Sequence, residues 1–223
     1  FGSLILEETK SRLSDPDKIA DALTRAALTK GLRLECKEQL ERVAVRIELA
    51  QRAKRAPLPS PPLAPTDIER LLREAAPGLD SLEHLLALDL SLLVISAMPP
   101  DMQRRLAQLC PERIDLPSGK SAKIEYRPGE TPFVASRLQD FFGCVDGPRI
   151  LDGEVSVLLH LLAPNQRAVQ VTTDLAGFWD RHYPALAREL RRKYPRHSWP
   201  EDPTSAAPEA RPRRREGRGP LKA

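Results

Sequence analysis

The tripeptide Gly119-Lys120-Ser121, inside LPSGKSAKIEY at residues 116–126, is the tail of a phosphate-binding loop. Such a loop cradles phosphates with backbone amides and a lysine. It needs a glycine five residues before the GK glycine, a strand leading in, and a helix whose amino end faces the ligand. Ile114 occupies the first-glycine position. After the lysine, Ser121-Ala-Lys-Ile-Glu-Tyr126 alternates with the period of a strand, not a helix. Pro117 and Gly119 are turn formers. The spacing therefore predicts a hairpin: strand 113–116, turn 117–120, strand 121–127. Ile114 and Leu116 then share a face with Ala122, Ile124 and Tyr126. An independent nucleotide-binding enzyme using this tripeptide is the alternative; an ATP titration decides it, and no binding is expected.

A second stretch, RHYPALARELRRKYPRHSWP at 181–200, carries a different chemistry. Arg181, Arg188, Arg191, Arg192, Lys193 and Arg196 are interleaved with Tyr183, Tyr194, His197 and Trp199. Guanidinium and ammonium groups contact phosphates, and aromatic rings stack on bases, so the stretch is a candidate grip on nucleic acid. The competing reading is a solvated helix face whose Tyr194 and Trp199 dock the chain end on the core. The nucleic-acid contacts are expected at Arg181, Arg191, Arg192, Lys193 and Arg196. Arg213, Arg214 and Arg215, in PRRREGRG at 212–219, add a polyanion contact that is weak and salt-dependent.

Nothing else in the sequence spells catalysis. There is no GxSxG elbow and no HExxH pair. His84, His160, His182 and His197 are scattered, and His182 and His197 lack a second ligand pair at metal spacing. Cys36, Cys110 and Cys144 form no CxxC and lack an evident base. No catalytic residue, metal site or cofactor site is therefore assigned. The cysteines read as buried thiols in a reducing compartment.

The charge pattern points the same way. From Arg191 onward there are ten Lys and Arg against four Asp and Glu, or +6. Residues 1–190 carry 25 against 27, or −2, so the net +4 belongs to the carboxyl end. The 41% hydrophobic content is enough for a buried core. The longest apolar run, Leu85–Met98, is broken by Asp89 and is too short to span a bilayer. A cytoplasmic protein without a membrane partner is expected. The first residue is Phe, which suggests a fragment, a processed chain or an excised domain.

These residues must be positioned by elements that the pattern outlines. Residues 1–55 read as a helical segment, with a severed strand in 1–9. Asp15-Pro16-Asp17 opens a helix to Thr29, with Ile19, Leu23, Ala26 and Leu28 inward and Gly31 as its stop. A second helix covers Lys37–Ala53, with Leu40, Val43, Val45, Ile47 and Leu49 buried. Five prolines make 56–66 an extended linker. Residues 67–112 read as helical again. Thr66 and Glu69 form a capping box over 67–75, and helices follow at Leu82–Met98 and Asp101–Leu109.

After Pro111 the period changes, and 113–202 reads as an α+β domain with an antiparallel sheet. It comprises the hairpin, a helix over 132–142, Asp-Gly turns at 146–147 and 152–153, and strands over 154–162 and 167–173. Val169 and Val171 point inward in the last strand. A final helix runs from Asp174 to Lys193, kinked or restarted at Pro184. Residues 203–223 are basic, rich in Pro, Gly and Ala, and expected to be disordered.

Four blocks in this order resemble the carboxyl-terminal region of the HrpB family of bacterial DEAH-box ATP-dependent helicases. They are LPSGKSAKIEY, RLQDFFG (137–143), LLAPNQRAVQVTTDLAGFW (161–179) and RRKYPRHSWPEDP (191–203). LLREAAPGLDSLEHLLALDL (71–90) is similar, more loosely, to the region just before it. Pro184, Ala168 where the pattern usually has proline, and the long basic tail are departures. The resemblance implies two motor domains, ATP and magnesium sites upstream, and movement on RNA or DNA. None of the motor motifs occurs in this chain. The expected role is a non-catalytic accessory region that packs against motor domains in cis and supports RNA or DNA binding. A protein-interaction module that recruits a partner is the alternative.

Overall fold

The computed structural model describes residues 15–64 and 66–208. The strand expected in 1–9 and the basic tail from 209, with Arg213, Arg214 and Arg215, lie outside the described residues. The described residues divide into two compact units, one within 15–44 and 59–103 and one within 45–58 and 104–208.

The first unit is helical. α1 (Pro16–Lys30) starts where expected: the Asp15 carboxylate accepts from the Asp17 amide, and Gly31 ends the helix at φ 82°. Its buried face is Ala20, Thr24 and Ala27, one step round from the predicted face; Ile19, Leu23 and Ala26 are half-buried and Leu28 is exposed. Small residues let α1 approach α3 (Ile68–Ala75) and α4 (Leu82–Leu86), so the largest side chains stay at the margin. α3 is opened by Asp67, without the Thr66–Glu69 box, and Glu69 pairs with Arg73 instead. The single helix expected over 82–98 is two. α4 ends at Ala87, and the Asp89 carboxylate accepts from the Ser91 amide to start α5 (Leu90–Ser96). Asp89, which interrupts the apolar run, is therefore a helix cap.

α2 (Leu34–Gln51) carries Cys36, Leu40 and Val43 in the first unit and Arg46, Ile47 and Ala50 in the second, all buried. The predicted Val45 and Leu49 are half-buried. The proline-rich stretch is packed at two points: Leu58 and Leu63 are buried, and the Leu58 amide donates to the Ala50 carbonyl. α6 (Pro100–Leu109) buries Met102, Leu106 and Leu109, as its pattern predicts.

The second unit is α+β. Its main sheet has the order β1 (Arg113–Asp115), β2 (Ser121–Glu125), β3 (Phe133–Arg137), β6 (Leu158–Leu162), β7 (Ala168–Thr172). β1 and β2 form the predicted hairpin, with Asp115 opposite Ser121 and Gly119 at φ 75° in the turn. Three pairings are antiparallel, while β3 and β6 run parallel, so the sheet is mixed. The helix expected over 132–142 is instead β3 followed by one 3₁₀ turn at Leu138–Phe141. A two-stranded sheet of β4 (Arg149–Ile150) and β5 (Val155–Ser156) carries the second Asp-Gly turn. β7 is an edge strand, and its Val171 is exposed rather than inward.

α7 (Leu175–Arg181) and α8 (Tyr183–Lys193) replace one long helix, with the break at His182 and Pro184 in the first turn of α8. Phe142 meets Trp179 at 6.1 Å and Tyr183 at 6.0 Å, and Phe178 meets Trp179 at 5.0 Å. This aromatic cluster locks the helix pair to the segment after β3. Pro203 is buried and its carbonyl accepts from the Gly143 amide, so the first residues of the expected tail are docked.

Candidate nucleic-acid interface

The phosphate-loop residues build a structural contact. The Gly119 amide donates to the Leu116 carbonyl and the Leu116 amide to the Lys120 carbonyl, which closes the hairpin. Lys120 Nζ reaches Asp140 at 2.9 and 3.2 Å. Asp140 also accepts from the Ser136 hydroxyl at 2.7 Å and the Arg137 amide at 3.2 Å. Burial raises the Asp140 pKa, but the Lys120 and Ser136 hydrogen bonds and the Arg137 charge outweigh it and hold the carboxyl below its ordinary range. The lysine thus serves a buried carboxylate. Asp140 escapes a reading of the sequence because its partner is twenty residues away.

The basic stretch is split by the helix break. Arg181, at the end of α7, is bound to Asp174 at 2.6 Å across Gly177. Arg191, Arg192 and Lys193 occupy the last turn of α8, where cations complement the helix dipole, and all three are exposed. Arg188 lies on the same face, three and four residues earlier, and Arg196 follows the helix; both are exposed. Among the described residues Arg192 and Arg196 enter no ion pair. Lys193 lies over the Tyr194 ring at 5.6 Å.

Of the two aromatics that the packing reading docks on the core, Trp199 is buried and Tyr194 only half-buried. The Trp199 indole donates to the Tyr194 carbonyl at 3.0 Å. The Tyr183 hydroxyl donates to the Pro200 carbonyl at 2.9 Å, and burial raises its pKa. Arg191 Nη2 donates to the Trp199 carbonyl at 2.6 Å. Tyr194 and His197 are half-buried, with rings 6.4 Å apart. The result is a rigid, positively charged ridge of helix end and returning chain, suited to phosphate contact. Among the described residues, no group of three or more His, Cys, Asp and Glu gathers as metal ligands, and no helix is long and apolar enough to cross a membrane.

The chain is of the class of carboxyl-terminal regions of ATP-dependent helicases. The chain belongs to the family HrpB_C, ATP-dependent helicase C-terminal, whose profile matches residues 71–203. ATP-dependent RNA helicase HrpB of Escherichia coli (strain K12) is 37% identical over 134 residues, which cover 60% of this chain and 17% of that protein. The crystal structure of the E. coli DExH-box NTPase HrpB matches at TM-score 0.73 and 29% identity, over 91% of this chain and 26% of that one. A crystal structure of the Escherichia coli DEAH/RHA helicase HrpB matches at TM-score 0.61 and 29% identity, over 85% and 25%. The chain thus spans about a quarter or less of these relatives.

Proposed function

We propose that this chain is the carboxyl-terminal accessory region of a cytoplasmic, bacterial HrpB-type helicase, and that it supports binding of RNA. ATP hydrolysis and magnesium binding are assigned to motor domains in cis, outside this chain. The observation that carries the reading is the exposed basic ridge of Arg191, Arg192, Lys193 and Arg196 on a scaffold immobilised by Trp199 and Tyr183. Fixed cations release counterions without ordering a flexible arm first, so each contributes to affinity and to the salt slope. Arg181, at the end of α7, joins them by exchanging its Asp174 partner for phosphate. Arg213, Arg214 and Arg215 add sequence-independent attraction.

Charge reversal to Glu at Arg181, Arg191, Arg192, Lys193 and Arg196 tests the reading in the full chain. RNA binding is expected to weaken at least tenfold and its salt dependence to flatten. Unchanged binding at low salt overturns it.

A further inference from the structure

Beside the ridge, and sharing Arg191 with it, α8 forms one wall of a cleft of about 390 Å³. Ala187, Arg188 and Arg191 line the helix side, and Pro200 and Glu201 line the other. Both walls are fixed. Tyr183 donates to the Pro200 carbonyl, Arg191 to the Trp199 carbonyl, and Trp199 is itself buried. The Arg188 and Glu201 side chains, by contrast, make no hydrogen bond or ion pair with any described residue. Two arginines three residues apart on one helix and the carboxylate of Glu201 line the same cleft.

The mixture of charges is informative. A site for bare phosphate gains nothing from a carboxylate, which repels the ligand. A site for a ribonucleotide does gain, because the ribose 2′-hydroxyl is a donor that a carboxylate accepts, while guanidiniums take the phosphate. The volume is at the lower end of small-ligand pockets, enough for one nucleotide. We infer that this cleft seats one ribonucleotide of single-stranded RNA, with Arg188 and Arg191 on its phosphate and Glu201 on its 2′-hydroxyl. The inference rests on the RNA-binding reading above and adds two residues, Arg188 and Glu201, together with a preference for ribose.

The test uses the full chain and labelled oligouridine, its 2′-deoxy counterpart and its 2′-O-methyl counterpart, read by fluorescence anisotropy. The wild type is expected to bind the ribo form about fivefold more tightly than either analogue. Glu201→Ala should lower that ratio towards one while strengthening binding of the deoxy form, because a repulsive charge is gone. A merely structural role does not produce opposite shifts. Arg188→Ala should weaken all three oligonucleotides. Circular dichroism checks that both exposed-site variants fold. If Glu201→Ala leaves the ratio unchanged while ridge charge reversal still weakens RNA binding, the cleft assignment falls and the ridge stands. If ridge reversal is also silent, both fall.

Discussion

Lys120 Nζ lies 2.9 Å from Oδ1 of Asp140, and the Asp140 side chain is 1% exposed. This one contact ties the turn of the β1–β2 hairpin to the 3₁₀ turn after β3. It also explains why a lysine stands after the turn glycine: a carboxylate this deep is costly unless donors surround it.

Asp140→Asn is therefore expected to destabilise the chain by about 2 kcal/mol, since the Lys120 ammonium and the Ser136 hydroxyl lose a charged acceptor. Lys120→Met should cost less, about 1 kcal/mol, because Asp140 keeps the Ser136 and Arg137 donors and the lysine is partly solvated. The pH sign follows from the depressed Asp140 pKa. Its stabilisation is fully present above the unfolded carboxylate pKa of about 3.9 and is lost as pH falls through the folded value. Urea titrations at pH 7 and pH 3 should show the wild-type advantage over Asp140→Asn shrinking in acid; a constant difference would contradict the assignment.

Arg46 is 5% exposed, donates Nε–H to the Cys110 carbonyl at 3.0 Å, pairs with Glu112, and lies 5.9 Å from the Tyr126 ring centroid. Burial pushes the Cys110 thiol up to about 12, against the pull of the Arg46 charge. A thiol held protonated and covered does not attack electrophiles. Cys144, half-buried and raised by burial and by Asp146, should be the first of the two to react with an aromatic disulfide reagent. Cys110 should react only on unfolding. Arg46→Met leaves the Cys110 carbonyl without its buried donor, while Glu112 is largely solvated, and should cost about 2 kcal/mol, with Cys110 labelling rising in step. Rapid native labelling of Cys110 in the wild type would refute this account.

The hairpin was legible because Pro117, Gly119 and the alternation after Lys120 all specify it locally. Pro184 likewise marked the α7–α8 break. Other features depend on contacts that no local pattern holds. Phe133, Val134, Leu138, Phe141 and Phe142 fit a helical stripe, yet the first two belong to a strand whose partner, β6, is parallel and follows the small β4–β5 sheet. Val171 alternates like an inward residue but stands on an edge strand. Of the candidate interface, the basic residues were visible as composition. Which aromatics anchor the chain end, and which arginine is bound to Asp174, needed the fold.

Gly177 shows how tightly that arginine is placed. The Asp174 carboxylate accepts from the Gly177 amide at 2.8 Å and from Arg181 at 2.6 Å, and a Cβ at 177 would overlap both groups. In an ordinary helix Gly→Ala gains about 1 kcal/mol. Here displacement of the cap and of the exposed ion pair offsets that gain. Gly177→Ala should therefore bring no net gain. In an Asp174→Ala background, where the carboxylate is absent and the arginine can swing away, the same substitution should become stabilising. Thermal melts of the two single variants and the double variant measure this change of sign; equal effects in both backgrounds would rule out the steric explanation.

Trp199 and Tyr183 hold the chain end by different means, so they should fail differently. Trp199 fills a buried site and keeps its indole donor satisfied by the Tyr194 carbonyl. Truncation to Ala removes both packing and the anchor, at a cost of about 3 kcal/mol or more. Tyr183→Phe keeps the ring in the Phe142–Phe178–Trp179 cluster and deletes only the bond to the Pro200 carbonyl, about 1 kcal/mol. The reporter is distant: the Gly143 amide donates to the Pro203 carbonyl, four residues beyond Trp199. If Trp199 is the clasp, its loss should release residues 199–203 as a unit and collapse hydrogen-exchange protection at Gly143. Tyr183→Phe should leave that protection largely intact. Equal protection at Gly143 in both variants would mean the chain end is held by Pro203 itself, and the basic ridge would then owe its rigidity to the tail and not to Trp199.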